Sequence, residues 1–198
     1  MAPLLYVEAL VAALEAALAG ALRAVYLSGS AAVGAYRPGS SDVDVLVVAE
    51  PADRARLEAV VARCSHEALP CPATKLEMVV YEPGALAAPG ESPRWSLNFD
   101  TGAGVRQVDF DPDTQPAHWF VLDLAFARRH AVALLGPPPD ELIGDPGDAA
   151  VSAAFADMVE WYEANDPGEG ATLAALRARH WAATGTFAAK PDLRGPVG

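Results

Sequence analysis

Three acidic residues and one glycine–serine pair carry the chemistry that this sequence offers. Asp42 and Asp44 flank Val43 at the head of an apolar, β-branched run over residues 43–48. Successive strand residues point to opposite faces, so the two carboxylates share a face and Val43 takes the other. Two carboxylates held side by side and partly out of water repel each other and call for a cation. Hard oxygen ligands on a rigid strand suit Mg2+, which keeps coordination places for the oxygens of a phosphate substrate. Glu77 is the single charge within Leu76-Glu77-Met78-Val79-Val80. On a strand next to the first it projects beside the two aspartates. There it serves either as a metal neighbour or as the base that accepts a proton from an attacking hydroxyl. Gly29-Ser30 supplies the other half of such a site. A glycine after a strand lets backbone approach a phosphate closely, and Ser30 brings a hydroxyl and an N–H to a helix start, where anions are favoured. The combination suits a metal-bound triphosphate attacked in line at its α-phosphorus, with positioning and charge neutralisation doing most of the work.

The elements that must hold these groups follow from periodicity. Residues 7–25 carry Leu10, Leu14, Leu18 and Leu22 at every fourth position, with Val7 and Val11 on the same side, and read as a core-facing helix. Glu8, Glu15 and Arg23 interrupt that run, so it is neither a membrane span nor a secretory segment. Strands are expected at residues 24–28, 43–48 and 75–81, and a helix at 51–67 with Asp53 as its cap. A hairpin is expected from 95–99 and 105–110, turned at Asp100-Thr101-Gly102-Ala103-Gly104. Helices over 118–133, 148–163 and 171–184 complete the chain, the second capped by Asp148. This order predicts an α/β (α+β) core with a mixed sheet over residues 1–112 and an all-helical domain over 113–198.

Composition narrows the function classes. The 198 residues are 52% apolar and 20% charged, a globular balance. The net charge of −12 repels phosphate backbones and argues against nucleic-acid binding, while it attracts a cationic small molecule. Two cysteines, Cys64 and Cys71, are too few for a disulfide scaffold and fit free thiols in the cytoplasm.

Leu27-Ser28-Gly29-Ser30-Ala31-Ala32, Ser41-Asp42-Val43-Asp44 and Leu76-Glu77-Met78-Val79-Val80 resemble the nucleotidyltransferase superfamily that includes DNA polymerase beta. Within it the chain is similar to aminoglycoside (3'')(9) adenylyltransferases. Ala131-Val132-Ala133-Leu134-Leu135-Gly136-Pro137 and Trp181-Ala182-Ala183-Thr184-Gly185 with Ala189-Lys190 resemble the family's helical part. The resemblance implies Mg2+ and ATP, with Asp42 and Asp44 as metal ligands and Glu77 as catalytic base and metal neighbour. Gly29, Ser30, Ser41 and Lys190 would bind the nucleotide. Trp161, Asp166 and Glu169 would be counterparts of the family's acceptor-binding residues, and Arg177 falls where the family also has an arginine. It implies a small-molecule hydroxyl acceptor. The family's helical part continues beyond the position of Lys190, and an apolar face left uncovered there would favour a homodimer. AMP transfer to a protein, and nucleotide binding without catalysis, are alternative uses of the same fold.

Overall fold

The computed structural model describes residues 3–188; Lys190 lies outside the described residues. Its centre is a mixed six-stranded sheet in the order β5-β4-β3-β2-β1-β6. The strands are β1 (Leu22–Leu27), β2 (Val43–Ala49), β3 (Leu76–Tyr81), β4 (Leu97–Gly102), β5 (Val105–Asp109) and β6 (Val132–Leu135). β2 and β3 are parallel, joined by a crossover through helix α3 (Arg54–Cys64). All other neighbours are antiparallel.

The alternation of strand residues divides the core. Val25, Val43, Val45, Val47, Leu76, Met78 and Phe99 face one side and pack under α1 (Pro3–Leu18) and α3. Ala24, Tyr26, Leu46, Val48 and Tyr81 face the other side and meet Phe120, Leu124 and Ala127 of α5 (Ala117–His130). The opposite flank of α5 gives Val121, Leu122 and Ala125 to a third cluster, with α7 (Asp148–Asn165) and α8 (Glu169–Thr184). Helix α5 therefore belongs to both the sheet layer and the helical layer. Three short helices, α2 (Gly29–Ala32), α4 (Pro83–Ala87) and α6 (Pro139–Leu142), sit in connections.

Four local expectations change. The first helix ends at Leu18 rather than near Val25, because Ala19 takes a left-handed φ of 48° and a 3-10 turn leads Leu22 into β1. Asp53 does cap α3, accepting the Arg56 N–H at 2.9 Å, but Gly147 rather than Asp148 occupies the N-cap of α7. Asp100 and Thr101 lie within β4, so the hairpin turn is shorter than expected. Residues 132–135 are a strand, not the end of a helix. A short apolar run has no decisive period, and here it closes the free edge of β1, with Tyr26 opposite Ala133 and Leu27 opposite Val132. The sheet thus takes its sixth strand from beyond residue 112. Among the described residues no helix is long and apolar enough to cross a membrane.

Candidate active site

The chain leaves β1 at Leu27, turns at Ser28 and enters α2 at Gly29. The Ser28 N–H donates to the Asp44 carbonyl at 2.8 Å and ties this turn to the head of β2. Gly29 has a φ of 58°, and a Cβ built on it would collide with the Asp44 side chain, 2.5 Å from Cγ. The residue must therefore be glycine for two independent reasons: its backbone region and the carboxylate packed against it. Ser30 follows within α2, half-buried. The Ser41 hydroxyl accepts the Arg37 N–H at 2.9 Å and shapes the loop that delivers Asp42 to β2.

Asp44 on β2 stands directly opposite Glu77 on β3, in the parallel register, and Glu77 stands opposite Asp100 on β4. All three lie on the sheet face that α5 covers, since their strand neighbours Val43, Leu76 and Phe99 belong to the other face. Burial is the main cause that pushes the Asp44 carboxyl up, to about 8. The Glu77 charge and hydrogen bond come next, then Asp123 and Asp42. Asp42 is thus within electrostatic reach of Asp44.

The helical part adds two charges. Asp123 on α5 is pushed up to about 7, by burial first and then by Glu77, against the pull of Arg177 on α8. Its side chain still presents surface to solvent. Both observations hold for a group on the wall of a cleft, and the open surface limits the size of the shift. Burial lowers the Arg177 pKa, opposed by Asp123 and by Tyr162. Trp119, one turn before Asp123 on α5, meets Trp161 and Tyr162 of α7 edge-on, with ring centroids 5.3 and 5.5 Å away. Trp161 is therefore part of an aromatic cluster with Trp119 and Tyr162. Asp166 and Glu169 sit at the exposed connection between α7 and α8. A separate concavity of about 410 Å3, with Arg54, Arg106 and Phe110 in its lining, lies against the other face of the sheet, away from the carboxylates.

The arrangement suits an open divalent-cation site. A carboxyl shifted upward by burial and by neighbouring acids is a group whose ionised form lacks a counter-charge. Among the described residues no group of three or more His, Cys, Asp or Glu side chains forms a ready metal cage. Mg2+ characteristically takes one or two protein carboxylates and leaves its other positions to phosphate oxygens and water. Asp42 and Asp44 match that donor set.

Sequence reading did not single out Asp100, Lys75 or Asp123. Alternation in Leu97-Asn98-Phe99-Asp100 carries the signal for Asp100, but Asp-Thr-Gly reads as turn chemistry. Asp123 is a lone acid within an apolar helical run, the helical equivalent of Glu77 in its strand.

Residues 13–74 match the family model of the nucleotidyltransferase domain. That segment contains Gly29, Ser30, Ser41, Asp42 and Asp44, and ends just before Glu77. The fold is similar to that of spectinomycin adenyltransferase AAD(9) from Enterococcus faecialis, solved with ATP and spectinomycin. The TM-score is 0.75 at 18% identity, over 96% of this chain and 80% of that one. The comparison with curated proteins gives no match. Residues 13–74 thus resemble a nucleotidyltransferase domain, and the fold of the whole chain is similar to that of a solved adenyltransferase.

Proposed function

We propose that this protein transfers AMP from ATP to a hydroxyl of a small cationic acceptor, of the aminoglycoside or aminocyclitol class, in a Mg2+-dependent reaction that releases pyrophosphate. The observation that carries this reading is the in-register pair of Asp44 and Glu77 on the face toward α5, with Asp44 packed against the Gly29 turn. The likeness to AAD(9), whose structure holds ATP and spectinomycin, supports the choice of nucleotide and acceptor.

In this reading residues 1–112, completed by β6, form the catalytic part, and helices α5, α7 and α8 form a partner that closes the acceptor side. Asp42 and Asp44 would hold Mg2+, with Glu77 alongside. The ion would offset charge on the triphosphate and make the α-phosphorus more open to attack. Gly29 and Ser30 would receive the triphosphate at the α2 turn, with Ser41 holding the loop and Lys190 adding a positive charge. Glu77 accepts the proton of the acceptor hydroxyl as its oxygen bonds to the α-phosphorus; the bond to the β-phosphate bridging oxygen breaks, and pyrophosphate leaves. Trp161, Asp166 and Glu169 would contact the acceptor, and the net charge of −12 favours a cation there.

Mass spectrometry after incubation with ATP, Mg2+ and streptomycin or spectinomycin tests this directly. One AMP added to the drug is the expected result. AMP appearing only on a co-purified protein would move the acceptor to the protein class. Mg2+-dependent ATP binding by calorimetry, with no AMP transferred to either, would leave a nucleotide-binding protein.

A further inference from the structure

Beside Glu77 stands a cation that nucleotidyl transfer does not by itself require. Lys75 immediately precedes β3, and its Nζ lies 2.5 Å from Glu77 Oε1 and 2.8 Å from Asp100 Oδ2. The side chains of Lys75 and Asp100 are only 24% and 18% exposed, while that of Glu77 is 41% exposed. Asp44, Glu77 and Asp100 occupy matching positions on β2, β3 and β4, so three acids form one row and a single ammonium bridges two of them. Burial works against the charge on Lys75, but hydrogen bonds to Asp100 and Glu77 outweigh it and raise the Lys75 pKa. Asp100 is itself pushed upward, by burial first and also by Glu77, against the pull of Lys75.

We propose that Lys75, clamped by Asp100, is a positioning residue that sets how strongly Glu77 engages a divalent cation. This rests on the reading of Asp42, Asp44 and Glu77 as the centre of metal-assisted nucleotidyl transfer. Lys75 holds one oxygen of Glu77 and offsets part of its charge, which weakens the row's attraction for a divalent ion. Asp100 draws the ammonium toward β4 and adds negative charge, which restores some of that attraction. The two neighbours therefore act on cation affinity with opposite signs. A free divalent ion is held weakly, and the triphosphate of ATP supplies the remaining negative charge that retains it.

Electron paramagnetic resonance of Mn2+, titrated into the full chain with and without a non-hydrolysable ATP analogue, tests this. Lys75→Met removes a unit charge at contact distance from Glu77 and should tighten nucleotide-free Mn2+ binding by roughly tenfold or more. Asp100→Asn should weaken it several-fold, and Lys75→Arg should stay near the wild type. A loss of packing would move Lys75→Met and Asp100→Asn in the same direction. Mn2+ affinity unchanged or weaker in Lys75→Met overturns the proposal. If that variant does not fold, Asp100→Asn decides alone: tighter or unchanged binding overturns it. A wild-type chain that takes up no Mn2+ even with the ATP analogue overturns the metal reading as well, so the two failures are distinct.

Discussion

Gly29 and Asp44 define one contact from two sides: a turn that only glycine makes easily, and a carboxylate resting where a Cβ would be. Gly29→Ala should leave the fold intact and push Asp44 off its position, lowering kcat/KM for AMP transfer by about a hundredfold, the cost of a misplacement near 1 Å at a reacting centre. Circular dichroism and steady-state kinetics check both halves. Asp44 also sets a pH dependence. Its carboxyl is raised to about 8, so near neutrality it holds a proton that a divalent cation must displace. Mg2+ affinity should rise with pH up to that value, level off above it and fall toward acid. Calorimetry in buffers of different ionisation enthalpy should show proton release on metal binding; proton-independent binding would be the contrary result. The sign for folding is the reverse. Between the ordinary carboxylate range and about 8 the folded chain binds more protons at Asp44 than the unfolded chain, so this residue's contribution to cation-free stability falls as pH rises. That Glu77 stands beside Asp44 was legible in the sequence because charge stands out against strand alternation. Lys75 and Asp100 were not, because their significance comes from strand register, which joins residues 25 positions apart.

At the scale of elements, most strands and helices were legible from periodicity, and the exceptions share a cause. Residues 22 and 132–135 are apolar in runs that fit either a helix or a strand, and strand pairing decides between them: Leu22 pairs with Ala49 of β2, and residues 132–135 pair with β1. Gly136 reads in sequence as a helix stop; in the fold it has a φ of 89° and ends β6 against β1. A Cβ there would lie 2.6 Å from the Arg23 carbonyl oxygen and 2.8 Å from the Ala24 Cβ. Gly136→Ala should destabilise the protein by about 2–3 kcal/mol through backbone strain and overpacking together. Gly34 has a similar φ of 71° with open space around it, so Gly34→Ala should cost only about 1 kcal/mol. Urea denaturation of both variants gives the comparison, and equal costs would show that the β6 contact contributes little.

At the scale of the whole molecule, α5 decides how the site is assembled. One flank, with Phe120 and Leu124, packs on the sheet, and another, with Val121 and Leu122, packs on α7 and α8. That shared helix brings Asp123 to the acid row and sets Arg177 of α8 within its reach. An α/β core followed by helices was legible in the sequence; the role of α5 in both layers was not, because it depends on which flank meets which partner. The acid row on the sheet, the turn at Gly29 and the helices over them form the site to which we assign AMP transfer. The most direct measurement is AMP transfer to streptomycin or spectinomycin by the wild-type chain and by Asp44→Asn, with saturating ATP and Mg2+. Transfer that requires Mg2+ in the wild type and drops by roughly a thousandfold or more in a folded Asp44→Asn protein is the predicted result. An Asp44→Asn protein that still transfers AMP at a comparable, metal-dependent rate would contradict it.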